Sequence, residues 1–560
     1  MKTFRPIYII AMILLLGSCT EDFLDLRQQG RLTDQNYFDN DNNAIMFINA
    51  CYAAIGWDEG IYLGVEQTNH FYEFWYGDIL SDDARIGTQP SDRAWLQPLE
   101  EWRLLSSDGA AKSMWMANYK GLFRINMAIL RLPDAEVSND LKERLLGEAY
   151  FLRAYIYFYM VRVFGGVPLF TEPVKPSEYK ATKRASISEV YKLIEEDLKK
   201  AIARLPEKSE YAPADLGRAT RGAARAFLAR SIMYQIGTDN TNNHTWQAVF
   251  DLTEHIIKSG EYHLYPNYAA IFEMDGENNS ESIFEVQFAD NNEGWGVVKA
   301  GTTASVFQGN RTMTYHPSYR DEAKEKGEPE GWGFNTPTKE FVNSFEPGDP
   351  RRISTAYGDM EVHHGILQRV EEEYSGGTGY YNRKARIDPD HVPVNMKSSP
   401  TNYRKFRYSD ILLMQAEAAY HLGNEAVARQ RVNEVRARAR QATKPKGSIE
   451  GRNTYVPYRT DELPDNLLPD ITSTGEQLLQ DIWRERRHEL GMEALRFWDL
   501  VRTGRYYDAL TKKFPDDPSV RERCIQHSIP AGGKVVNPIP VLPIPISEVV
   551  SYGLEQNPGY

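Results

Sequence analysis

Cysteine is nearly absent from this chain: only Cys19, Cys51 and Cys524 occur in 560 residues. That excludes a disulfide framework and a cysteine metal site. It leaves either a single Cys51–Cys524 bridge or two buried free thiols, and the second is the expectation. Positive charge is also short. Lys and Arg total 65 against 78 Asp and Glu, a net charge of -13, which argues against nucleic acid or any polyanion as the main partner. Histidine offers little for metal binding. His363-His364 lack the helical spacing of a ligand pair and are expected at the surface. What is present is a globular composition, 41% hydrophobic and 26% charged, sufficient for a large core. Aromatic residues reach 12%, and several fall in segments with no helical or strand period.

The N-terminus reads as a secretory signal. Lys2 and Arg5 precede the apolar run Ile7–Leu16, which is too short to span a bilayer permanently, and small residues follow at Gly17 and Ser18. The order Leu16-Gly17-Ser18-Cys19 resembles the bacterial lipobox, in which cleavage leaves the cysteine carrying lipid. Several acyl chains on Cys19 give stable attachment, since one chain alone holds only marginally. The acidic stretch Thr20-Glu21-Asp22 resembles an export signal to the outer face of the outer membrane. The chain therefore divides into a signal peptide, 1–18, a lipidated tether, 19–30, and a single domain, 31–560, with an N-terminal part to 240 and a C-terminal part from 241. Loss of Lys2 and Arg5 makes the mature protein more acidic still.

Helices come in hairpins. Apolar spacing predicts Trp115–Leu132, with Leu122, Ile125, Met127 and Ile129 on or near one face and Pro133 as the stop. Leu141–Phe164 follows, ended by Gly165-Gly166. A second pair is Ile187–Leu205, with Ser188 as its cap, and Thr220–Ile236, closed by Gly237. Trp246–Ser259 is expected to pair with the helix before it. The clearest hairpin is Ser409–Leu422 and Glu425–Arg440 around Gly423-Asn424. Alanines 416, 418, 419, 426 and 428 allow close approach there, as in tetratricopeptide hairpins. A last helix, Gly475–Glu489, leads to Phe497-Trp498-Asp499-Leu500. Residues 57–112, 261–408 and 441–474 are long and irregular, the character of working loops, with a short strand near Ser282–Phe288.

Distributed motifs resemble the SusD/RagB family. They are Cys19–Leu26 (CTEDFLDL), Gly147–Tyr155 (GEAYFLRAY), Val163–Leu169 (VFGGVPL), Arg407–Glu417 (RYSDILLMQAE), Arg484–Leu490 (RERRHEL), Arg496–Gly504 (RFWDLVRTG), Leu542–Pro545 (LPIP) and Gln556–Tyr560 (QNPGY). They span the mature chain in the family's order. The resemblance implies a mainly α fold of four tetratricopeptide-like helical hairpins packed against a loop-rich ligand-binding region with a few short strands. It also implies non-catalytic glycan capture at the cell surface, a lipid anchor in the outer membrane, and a SusC-like TonB-dependent barrel as partner. A peptide-capturing lid and a surface glycoside hydrolase are the alternatives.

Most motif residues read as structural. Arg484, Glu485, Arg486, Arg487, Glu489, Arg496 and Asp499 alternate in charge and are expected to form a partly buried ion-pair network locking the last helix to the hairpins. The binding reading rests on sugar chemistry. A pyranose offers an apolar C–H face and a rim of hydroxyls, so its receptor needs a flat aromatic ring beside planar polar groups. Segment 71–102 supplies both, with Trp75, Tyr76 and Trp95 beside Asp82 and Arg85, and the 290–335 loop adds Trp295, Tyr315 and Trp332. Two platforms of this kind bind weakly per sugar, about -4 kcal/mol per site. Trp102 and Trp115 are assigned to packing. The adjacent pair Asp82-Asp83 suits a glycosidase poorly, because its two acids must face one bond. Asp39, Asp41 and Asn43 imitate the start of a calcium loop but have Ala44 where the turn glycine belongs, and are read as capping a helix near Asn43. No cofactor is called for; a structural calcium is left open.

Overall fold

The computed structural model describes residues 38–560 except 57–60, 63–64, 67–72, 89–91, 93–95, 175–177, 180–181, 240, 291–300, 312–318, 322–324, 326–327, 330, 396–397, 459–466 and 531–536. Helix α1 is Asp41–Gly56, started by Asn40, whose Oδ1 accepts from the Asn43 N–H at 3.0 Å. The hairpin helices are α2 Gly109–Arg131, α3 Asn139–Phe164, α4 Ile187–Arg204, α5 Arg221–Thr238, α6 Trp246–Ser259, α7 Tyr408–His421, α8 Glu425–Ala439 and α9 Gly475–Leu490. Each packs on the next, and the expected hairpins α2/α3, α4/α5 and α7/α8 all form. Helix α6 packs on α5 as expected and also on α7, across an insertion running from 260 to 407, and α9 packs on both α7 and α8.

Local chemistry explains the boundaries. Helix α4 opens on a capping box: the Ser186 hydroxyl accepts from the Glu189 N–H, and Glu189 accepts from the Ser186 N–H at 2.8 Å. Ser188, expected as the cap, instead lies in the first turn and bonds Asp239 at 3.1 Å. Gly237 is not a stop either, since α5 runs on to Thr238. A β-carbon at 237 would overlap the Arg502 carbonyl, so glycine there lets α10, Arg496–Arg502, lie directly on α5. In α7/α8, Ala416, Ala419 and Ala428 are fully buried with Leu412, Leu413, Val432 and Val435. Ala426 is exposed, because two residues from Ala428 is more than half a turn around the helix. Cys51 and Cys524 are both buried free thiols.

The expected ion-pair network forms around α9, and most of it is buried. Glu489 accepts from Arg407 at 2.9 Å, from Arg438 at 2.5 Å and from Arg351 at 3.2 Å, while Glu485 pairs with Arg351 and with Arg436 at 2.8 Å. Arg486 joins Asp410 to Asp499. Arg484 is the exception: it is exposed and pairs within its own helix with Asp481. Desolvation makes such charges costly to bury, and only full mutual pairing makes them tolerable.

The strands that matter for the site are β1 Ala84–Gly87, β2 Ser282–Val286, β3 Phe334–Pro337, β4 Ala356–Gly358, β5 Tyr380–Asn382 and β6 Tyr403–Arg407. All sheets among the described residues are two-stranded. Antiparallel β2 and β6 pair the start of the insertion with its end, Val286 opposite Tyr403 and Ser282 opposite Arg407. The long excursion therefore leaves and re-enters the helical body at one place. His363 departs from the surface expectation. It is buried, stacked on Tyr357 with ring centroids 3.9 Å apart, and burial beside His364 and Arg383 holds its pKa well below the usual histidine value.

Candidate binding site

The two aromatic segments singled out in the sequence are stitched together. Strand β1, from the first, pairs antiparallel with β3, from the second, with Ala84 opposite Pro337, Arg85 opposite Thr336 and Gly87 opposite Phe334. Arg311 reaches back across the join: its guanidinium donates to Thr88 Oγ1 and to the Trp332 carbonyl at 3.1 Å, and pairs with Asp92. Thr88 in turn donates to Asp92 at 2.9 Å. Arg311 was missed, because a polar residue whose partner lies 223 positions away leaves no local signal.

Trp332 stands at this join. It is half-buried, its indole edge-on to Phe307 at 4.5 Å, and its backbone N–H donates to the Val306 carbonyl at 2.8 Å. Trp95, Tyr315, Trp295 and Cys19 lie outside the described residues.

Trp75 and Tyr76 are not a platform. Both are 0% exposed, in a π-helical turn, Trp75–Ile79. The cause is Gly77: a β-carbon there would overlap the Ala494 backbone, so the turn lies flat on the segment before α10 and sends its rings into the core. Asp78 completes the contact, accepting from the Ala494 N–H at 2.9 Å and from Asn335 Nδ2 at 3.1 Å. Burial, only partly offset by the Asn335 hydrogen bond, pushes its carboxyl up to about 7. Trp102 and Trp115 pack as assigned, Trp102 donating to the Tyr506 hydroxyl at 2.9 Å.

Asp82 and Arg85 do not join Trp332 but line a separate open cavity of about 520 Å³. Asp82 accepts from Arg496 at 2.8 and 2.9 Å, and Asp83 from Arg487 at 2.7 Å. Burial works against ionisation of both. For Asp82 the bidentate Arg496 outweighs it and holds the carboxyl well below the usual range, whereas Asp83, wholly buried, is pushed up to about 6. Each acid is committed to an arginine. Arg85 pairs with Glu100 at 2.7 Å and lies over the Phe514 ring at 5.0 Å. Among the described residues no group of three His, Cys, Asp or Glu is arranged to hold a metal ion.

This architecture has known counterparts. Residues 33–233 match a family model described as "Starch-binding associating with outer membrane", and residues 371–560 match the SusD family model. SusD-like protein P38 of Formosa agariphila is 26% identical over 534 residues, covering 91% of this chain and 94% of the relative. A laminarin-binding SusD-like protein of solved structure superposes with a TM-score of 0.70 at 27% identity, over 93% of this chain and 100% of its own. Surface glycan-binding protein A from Bacteroides fluxus does so with a TM-score of 0.69 at 25% identity, over 93% and 99%. With family models matched over residues 33–233 and 371–560, the chain belongs to the SusD/RagB family.

Proposed function

We propose that this protein is a non-catalytic glycan-binding lipoprotein of the outer-membrane surface, anchored through Cys19, which passes captured oligosaccharide to a SusC-like TonB-dependent barrel. The observation that carries the reading is the β1–β3 join. Two loops far apart in sequence, each rich in aromatic residues, are brought edge to edge, and Trp332, only partly buried, stands where they meet. An aromatic face backed by planar polar groups is the surface a pyranose needs. The laminarin-binding relative makes a β-glucan the first ligand to try. Trp95, Trp295 and Tyr315 remain candidates for the same platform. Against a hydrolase stand the arginine pairs of Asp82 and Asp83.

The test is titration of the mature chain with laminarin oligosaccharides and a panel of other neutral glycans, with peptides as competitors and reducing ends measured after long incubation. Saturable glycan binding without new reducing ends supports the proposal. Displacement by peptides alone, or steady release of reducing ends, refutes it.

A further inference from the structure

The cavity beside Asp82 has a charge pattern that its ion pairs do not use up. Its wall carries Arg85, Arg487, Arg496, Arg505, Lys512 and Lys513, from β1, α9, α10, the turn after it and α11 (Tyr506–Lys513), together with Lys339, against the three acids Asp82, Glu340 and Asp508. In a chain of net charge -13, such crowding of cations round one opening is local and specific. Most of these groups have carboxylate partners behind or beside the wall. Arg487 and Arg496 hold Asp83 and Asp82, Arg85 and Lys513 share the one carboxylate of Glu100, and Lys339 pairs with exposed Glu372.

Arg505 is different. Its guanidinium lies over the Trp483 ring at 4.0 Å and its Nε donates to Thr503 Oγ1 at 2.8 Å. Among the described residues no carboxylate stands within ion-pair distance of it, and its two terminal nitrogens have no acceptor. Burial, with Arg496 and Arg502 close by, lowers its pKa to about 10, only partly opposed by Glu417 and Asp499, which are already paired with Arg502. A half-desolvated guanidinium crowded by like charge is unfavourable unless something negative joins it. Arg496 spends Nε and Nη2 on Asp82, which leaves its Nη1 available, and exposed Lys512 lines the same opening. The opposite wall is bare backbone at Gly376-Gly377, both with left-handed φ, and a side chain at Gly377 would meet open space. At about 520 Å³ the space is ample for a sulfate or a sugar carboxylate.

We infer that this cavity is an oxyanion site, in which Arg505, Arg496 and Lys512 bind a sulfate group or the carboxylate of an acidic sugar. It is distinct from the aromatic join and does not depend on it. Arginine supplies the planar, paired donors that such anions take, and the indole beneath Arg505 fixes the fork in place.

The test is titration calorimetry of the mature chain with sodium sulfate and, separately, with trigalacturonate, at constant ionic strength set by sodium chloride. The expected result is saturable binding of at least one of the two, weakened tenfold or more in Arg505→Gln/Lys512→Gln, with neutral-glycan binding unchanged. Sulfate binding assigns a free anion as a ligand; binding of trigalacturonate alone assigns a sugar substituent. No saturable response to either anion overturns the inference, as does an unchanged affinity in the double variant. Should that variant fail to fold by circular dichroism, Lys512→Gln replaces it: weakening of threefold or more supports the site, and an unchanged affinity overturns it. Absence of neutral-glycan binding in the wild type, with anion binding observed, counts against the aromatic platform and not against this cavity.

Discussion

Gly87 lies so close to Gly333 that a β-carbon on the first would overlap the carbonyl oxygen of the second. Both glycines have left-handed φ, +76° and +72°, and together they let the two loops cross at the end of the β1–β3 ladder. Gly87→Ala combines an unfavourable φ with a backbone overlap and is expected to cost roughly 1–3 kcal/mol. Thermal unfolding checks the cost. A further expectation is weaker glycan binding in the folded fraction, because the join positions Trp332.

Glu489 serves three arginines at once and is fully buried. Replacing it with Ala takes one carboxylate from each of Arg351, Arg407 and Arg438, which keep Asp349 and Glu485, Glu281 and Glu493, and Glu281; the unbalanced positive charge left in the cluster costs about 3–5 kcal/mol. Urea denaturation is the measurement. Arg484→Ala, on the same helix but exposed, is expected to change stability by less than about 0.5 kcal/mol.

Asp78 gives a pH signature of defined sign. Its folded pKa, about 7, lies above the ordinary carboxylate value, so the folded state holds the proton more tightly than the unfolded chain. Its stabilising contribution is therefore complete below about pH 4 and is lost as pH rises through 7, by up to roughly 1.4 kcal/mol per pH unit in that window. Asp78→Asn removes this dependence. Unfolding free energies of wild type and variant, measured from pH 4 to 8, should run close at low pH, where protonated Asp78 is neutral like Asn, and separate as pH rises and the wild type alone must bury a charge. Parallel profiles count against a protonated Asp78.

The helical body was legible because its periodicity is long and its punctuation is chemical. Trp246–Ser259 was read with its observed bounds, and α3, α7, α8 and α9 to within two residues at each end. Two errors came from reading residues by type alone. Gly237 looked like a stop but is a contact point for Arg502, and Trp75 and Tyr76 looked like a display but are turned inward by Gly77 against Ala494. A glycine's effect depends on what crosses it, and that lies hundreds of residues away in sequence. For the same reason the α6/α7 pairing and the Arg311 clasp were invisible, although both segments that make the join had been identified by composition.

Gly237→Ala follows from the same geometry. Its β-carbon would push α5 off the Arg502 backbone, and the shift would disturb the Arg502–Glu417 pair, now at 2.7 and 2.8 Å. A loss of about 1–3 kcal/mol is expected despite alanine's better helix propensity. A stabilised variant in thermal denaturation would show the contact to be slack.

Binding of neutral oligosaccharides, laminarin first, to the wild type and to Trp332→Ala tests the two-loop glycan site most directly, with circular dichroism as the check on folding. The wild type should bind at about the millimolar level and more tightly as the oligosaccharide lengthens, and Trp332→Ala should lose at least tenfold while keeping its helical spectrum. Equal affinities in the two folded proteins would contradict the account.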